Sequence, residues 1–311
     1  MNTIAAWLIL LTYSSFALSP LRRVWHRLNE ALGIVSPALF LLPYLLATDF
    51  QPSTNDLIRV VGYLALPTTL LHLRSKKAKP FDPLQVLTIL ALWVPLEPDL
   101  FILFLDLLLP GLNLRSSIPD PTLLPVRATL LPGVDLPLMS LMAISLALYL
   151  FTVRHPLKDL EFTIHLGWRD VRSALLGLSV YALVGVPLGL VIGFLEFEPH
   201  VPDGGELLAG ILAGYLLVAL IEEVLFRGII QNLLSKRLRR PWVGLGVSAF
   251  IFGLAHLNNS TPGFPVPNWG YVLMATLAGL AYGWVWMRTG KVTASAITHM
   301  LVNLVWGIVL S

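Results

Sequence analysis

Apolar runs recur along the whole chain, each closed by a short polar, basic or proline-containing break. Runs at 3–19, 31–48, 56–73, 136–153, 173–195, 207–234, 241–257, 269–287 and 292–310 are each long enough, or nearly so, to read as a membrane-crossing helix of about 20 residues. A tenth lies at 84–96, followed by LEPDL and a second short run at 101–109. Pro95 and Pro98 interrupt helix between those two pieces, which predicts one span with an interfacial or re-entrant segment. Residues 110–135 are rich in proline and poor in charge and read as an outer loop. The pattern predicts an all-α, polytopic transmembrane helix bundle of about ten spans.

Composition sharpens that picture. The 311 residues are 56% hydrophobic and only 13% charged, against roughly 25% charged in soluble domains. The net charge is +3, and the basic residues sit in short clusters between apolar runs. That is the distribution expected of cytoplasmic loops, so it points to a lipid bilayer and not to nucleic acid. Arg22, Arg23 and Arg27, the RSKKAK stretch at 74–79, Arg154 with Lys158, Arg169 and Arg172, the KRLRR end at 236–240, and Arg288 with Lys291 all fall on one side of this topology. The loops TDFQPSTND and EFEPHVPDGGE carry no Lys or Arg and suit the outer side. Run 3–19 has no basic residue before it, so it reads as a first span with an outer N-terminus in preference to a cleaved signal. Both termini then lie outside, in a multi-pass protein of a bacterial cytoplasmic membrane. The absence of cysteine excludes disulfides, thiolate metal sites and a cysteine nucleophile.

The candidate chemistry lies in the last third. The run ELLAGILAGYLLVALIEEVLFRGIIQNLLSKRLRR places Glu222, Glu223 and Arg227 well inside a membrane helix, where each charge costs roughly 2.5–3.5 kcal/mol on insertion scales. Glu223 and Arg227 are four residues apart, so they share a helix face and predict an ion pair. Glu222 points about 100° away and stays free of that pair. A packing salt bridge would need one glutamate, so the second suits proton transfer. Phe252 and His256, and likewise His299 and Asn303, are spaced by four on the helices that follow. At ~1.5 Å per residue, Glu222 lies about 18 Å from the basic end of its helix, His256 about 22 Å, and His299 and Asn303 about 12 and 18 Å. The four groups therefore come to a common level in a core about 30 Å thick.

Two chemistries fit that convergence. Glu222 and His256 could activate a water while His299 and Asn303 stabilise an oxyanion. Alternatively Glu222, His256 and His299 could hold Zn²⁺, with the other glutamate as base, although no H-E-x-x-H helix is present. Ser295, four residues before His299, is a weaker nucleophile candidate because serine catalysis leaves the paired glutamates unexplained. Gly185, Gly189 and Gly193, and Gly279 with Gly283, predict faces for close helix packing.

Taken together and in order, EEVLFR (222–227), FGLAH (252–256) and HMLVN (299–303) resemble the CPBP family of CAAX prenyl endopeptidases and bacteriocin-processing, Abi-type intramembrane proteases. The resemblance covers roughly 173–310, and every motif residue is present. It implies Glu222 and His256 as water-activating residues, His299 and Asn303 as oxyanion stabilisers, and Glu223 with Arg227 as the supporting pair. The family is labelled metalloprotease in part, while its eukaryotic and archaeal prenyl endopeptidases look metal-independent, so Zn²⁺ stays open as a cofactor. The implied partner is a membrane-tethered peptide or protein substrate, CAAX-type or otherwise, reaching a site that opens toward the cytoplasm. Residues 1–170 read as additional N-terminal membrane helices and 171–311 as the catalytic membrane domain. The competing reading is a non-catalytic membrane scaffold or immunity-type binding protein of the same fold.

Overall fold

The computed structural model describes residues 1–75, 77–109, 111, 127–131, 134–200 and 202–310. These residues form two compact units, Met1–Leu157 and Lys158–Ser311. Apart from a two-stranded hairpin and a few isolated bridges, the regular elements are helical, as the apolar runs predict.

In the first unit, α1 (Asn2–Ser15) precedes the basic, amphipathic α2 (Ser19–Leu32). A 3₁₀ stretch, Gly33–Phe40, then leads into α3 (Leu41–Ala47), and the 3₁₀ stretch contains Pro37, which cannot supply an N–H to a regular helix. Next comes α4 (Thr54–Leu73), whose N-cap Ser53 accepts a bond from the Asp56 N–H. The pieces α5 (Pro83–Trp93) and α6 (Pro98–Leu108) meet at a bend of 109°. Pro95 and Pro98 fall at that break, so the interruption read from the sequence is present. Most of the expected outer loop at 110–135 lies outside the described residues. Its later part enters an antiparallel hairpin of β1 (Arg127–Leu131) and β2 (Val134–Pro137), which the proline content hides. The last helix, α7 (Leu138–Leu148), is buried at every position but Ser140 and continues into a wider turn over Tyr149–Arg154.

The second unit contains α8 (Trp168–Val191), α9 (Gly204–Leu238), α10 (Pro241–Leu254), α11 (Trp269–Thr289) and α12 (Val292–Val309). Its centre is α11, which packs against α8, α10 and α12. The stretch before α8 packs on this unit too. Trp286 Nε1 donates to the Asp159 carbonyl at 3.1 Å, and Lys291 Nζ donates to Asp170 at 2.8 Å. These contacts tie 158–170 to the helices of the C-terminal unit.

Among the described residues, six helices are long and apolar enough to cross a membrane, or seven if the bent α5–α6 pair counts as one. The expected count of about ten is therefore not reached. Runs 3–19 and 241–257 form helices of 14 residues each, and run 136–153 forms 11 residues of α-helix continued by a six-residue wider turn. Apolar length in the sequence overstates helix length wherever the chain must turn before the run ends.

The glycine faces explain how closely the second unit packs. A Cβ on Gly189 would lie 2.5 Å from Leu195 Cδ1 and 3.1 Å from Met274 Cε. A Cβ on Gly283 would strike Gln231 and Leu245, and one on Gly279 would sit 3.1 Å from Phe252. Gly185 instead makes room for the ring of Tyr181 on its own helix, and Gly193 lies past the helix end at φ +69°, turning the chain. Gly189→Leu is expected to lower the yield of folded, monodisperse protein at least severalfold, because overpacking costs about 1–3 kcal/mol before any backbone shift is counted. Size-exclusion chromatography after detergent extraction checks this, and a wild-type profile would count against close packing at that face.

Candidate active site

The site is built around one unusual helix. α9 starts at a capping box, with Asp203 accepting bonds from Gly205 and Glu206, and ends at Arg239 in the left-handed conformation. No proline lies inside it, yet it widens twice into π-helical turns, over Gly214–Ala219 and Val224–Gln231. The regular turn between them, Leu220–Glu223, carries both glutamates. Widened turns redirect side chains and recur at functional sites.

Glu223 is fully buried and acts as a hub. Its Oε2 lies 3.1 Å from Arg227 Nε, as the spacing of four predicts. Its Oε1 accepts a bond from His299 Nδ1 at 3.0 Å, and Ser295 Oγ donates to Oε2. Arg227 is buried as deeply. Its Nη2 donates to the Gly279 carbonyl at 3.2 Å, and its guanidinium lies 4.4 Å from the centre of the Phe252 ring. A buried carboxylate and guanidinium are tolerated here because each has hydrogen-bond or ring partners beyond the other.

The hub fixes His299. Because a carboxylate only accepts, Nδ1 carries the proton, and Nε2 lies 3.8 Å from Glu222 Oε2. The ring is held flat against Tyr282, centroids 4.5 Å apart at 14°. His256 is fixed by a different device. Its Nδ1 lies 2.9 Å from the Phe252 carbonyl, so Nδ1 is the donor and the neutral ring keeps a lone pair on Nε2. The spacing of four between Phe252 and His256 thus works through the backbone carbonyl as well as through the shared face.

Glu222, His256, His299 and Asn303 all line one cavity of about 380 Å³, with Tyr271, Tyr282 and Trp306. Glu222 is about a third exposed, and its buried Oε2 has no hydrogen-bond partner among the described residues. An available carboxylate oxygen beside an oriented imidazole is an arrangement that can hold and deprotonate a water. Four of the six singled-out residues therefore meet at the cavity, while Glu223 and Arg227 stand behind it. Two supports escape the sequence reading. Ser295 reads there only as a nucleophile, although its position four before His299 already puts it on the same face. Tyr282 carries no signal at all.

The zinc arrangement does not form. Among the described residues no group of three or more His, Cys, Asp or Glu side chains is gathered to hold a metal ion. His299 is turned by Glu223, and Glu223 is itself occupied by Arg227 and Ser295. On α10, α11 and α12 the cavity-lining residues fall toward the helix ends opposite the basic clusters.

Ser295→Ala is expected to keep cleavage activity while lowering stability by about 1.5–3 kcal/mol, the worth of a hydrogen bond to a charged group. Parallel unfolding and activity measurements check this, and complete loss of cleavage in a folded variant would restore Ser295 as a nucleophile.

Residues 204–305 match the family model described as type II CAAX prenyl endopeptidase Rce1-like, and this stretch contains all three motifs. No curated protein and no solved structure matches the chain. The matched stretch covers about a third of the chain, and the match agrees with the resemblance carried by the three motifs.

Proposed function

We propose that the protein is an intramembrane endopeptidase of the CAAX-protease type that cleaves a membrane-tethered substrate with a water activated by Glu222 and His256. The observation that carries this reading is the free carboxylate oxygen of Glu222 in the cavity that also holds His256, His299 and Asn303. Glu222 takes a proton from the water as its oxygen attacks the scissile carbonyl carbon. His256 Nε2, left as an acceptor by the Nδ1 bond to Phe252, orients the same water. The Asn303 amide donates to the oxyanion that forms, and the His299 ring, held by Glu223, lines the cavity beside it. When the C–N bond breaks, Glu222 passes its proton to the leaving amine, so it ends as it began.

Glu223, Arg227 and Ser295 act as positioning residues, because they hold His299 without lining the cavity. No step is routed through a metal. The lipid bilayer supplies the substrate by confinement, and a tethered segment, prenylated or not, is delivered along the membrane to a cavity of this size. Incubating the purified protein with membrane-tethered peptides and following new termini by mass spectrometry tests the reading. Discrete products from wild type support it, and an intact panel that includes prenylated and unprenylated members counts against it.

A further inference from the structure

Among the helices of the Met1–Leu157 unit, α2 is set apart by its charge. It carries Arg22, Arg23, Arg27 and a single carboxylate, Glu30, and none of its residues is buried. At 100° per residue its side chains sort onto three faces. Arg22, Trp25 and Asn29 share the face turned to the protein. Trp25 Nε1 donates to Ser15 Oγ at 2.7 Å, Arg22 Nε donates to the Phe16 carbonyl at 3.1 Å, and the Tyr149 hydroxyl donates to Asn29 Oδ1 at 2.7 Å. Leu21, Val24, Leu28 and Leu32 form an apolar face, on which Leu21, Val24 and Leu32 are exposed. Arg23, Arg27 and Glu30 form the third face and are all exposed. The side chains of Arg23 and Arg27 make no ion pair or hydrogen bond among the described residues.

This helix lies across the foot of a hairpin. α1 packs against α3, and the Met1 amino group is 3.6 Å from Asp49, so the two run antiparallel and α2 joins their far ends. The Trp25 ring stacks on Phe16, just past α1, with centroids 5.1 Å apart, and on Phe40, just before α3, at 5.4 Å. One continuous helix would hold Trp25 and Phe40 about 22 Å apart. The chain instead folds back at Gly33, whose φ of +57° suits a residue without Cβ. A helix held across two apolar segments, with an exposed apolar stripe beside an exposed basic one, has the construction of a helix that lies in the membrane interface.

We propose that α2 lies in the plane of the bilayer surface and gathers anionic phospholipids, with Leu21, Val24, Leu28 and Leu32 among the acyl chains and Arg23 and Arg27 on the headgroup phosphates. A guanidinium suits that ligand because it stays charged and offers a fork of donors to phosphate oxygens. Two arginines against one glutamate leave the face a net positive charge. Trp25 and Asn29, bonded to the protein, fix the roll of the helix, so the apolar and basic stripes keep their places relative to the hairpin. Neither proteolysis nor the identity of the leaflet enters into this contact.

The chain has no cysteine, so a fluorophore can be attached at one chosen position. Full-length Val24→Cys and Glu30→Cys, each labelled with bimane, are reconstituted into liposomes of phosphatidylcholine and phosphatidylglycerol, with bromine on the acyl chains of one lipid or the other as quencher. Both positions are exposed, so the fold is expected to survive, and matched elution profiles check this. The Val24→Cys label should be several-fold less accessible to aqueous iodide than the Glu30→Cys label. Brominated phosphatidylglycerol should quench the Val24→Cys label about fivefold more effectively than brominated phosphatidylcholine, the worth of one arginine near an anionic surface. Adding Arg23→Gln and Arg27→Gln should bring the two lipids to parity. Equal access of iodide to both positions would overturn the proposal, as would equal quenching by the two lipids with both arginines in place, or a preference that survives their loss. A Val24→Cys label that neither iodide nor lipid reaches would overturn it too, by placing another protein surface on α2.

Discussion

Glu222→Gln is expected to lower the rate of peptide cleavage by about 10²–10⁴-fold, the usual share of a positioned general acid–base. Glutamine keeps the shape of the side chain and can still hold a water, but it cannot take that water's proton. The fold should survive, because the buried Oε2 of Glu222 has no hydrogen-bond partner to lose among the described residues. Substrate affinity should change little, so the loss falls on kcat more than on KM. Single-turnover cleavage by wild type and variant, with matched elution profiles, checks this. A folded Glu222→Gln protein within a few-fold of wild type would remove Glu222 from the chemistry.

Arg227→Ala is expected to cost about 3–5 kcal/mol of stability, the largest effect of any single change outside the cavity. The reason is the charge left behind. Glu223 is fully buried, and loss of Arg227 leaves its carboxylate with only His299 and Ser295 as donors. Phe252 and the Gly279 carbonyl lose their partner in the same step. Removing both charges isolates this cause. Glu223→Gln combined with Arg227→Met should recover most of the stability, because an ion pair replaced as a whole by packed side chains is often neutral. It should not recover activity, since a neutral amide holds His299 less firmly than a carboxylate. Thermal unfolding in detergent together with cleavage rates separates the two readouts. A double variant no more stable than Arg227→Ala would show that packing, and not the stranded charge, sets the cost.

The candidate site was legible because its chemistry repeats at helical spacing. Glu223–Arg227, Phe252–His256 and His299–Asn303 each lie four apart, and summed rises put Glu222, His256, His299 and Asn303 at one level; those four side chains line one cavity. The break between α5 and α6 was legible for a similar reason, since Pro95 and Pro98 forbid continuous helix. What stayed hidden depends on neighbours. The widened turns on either side of Glu222 and Glu223 leave no mark in the apolar pattern, because π and α turns use the same residues. Ser295 gains its role only when α12 brings it against Glu223. The number of spans reads high because hydropathy counts apolar residues that lie in turns and caps.

The central claim is that Glu222 activates the attacking water without a metal. The most direct test is cleavage of membrane-tethered peptides by detergent-purified wild type and Glu222→Gln, each with and without a strong zinc chelator and with metal analysis of both samples. The account predicts cleavage by wild type that is indifferent to chelator, and its loss in Glu222→Gln. Cleavage that disappears with chelator and returns with Zn²⁺ would contradict it, as would cleavage that survives in Glu222→Gln.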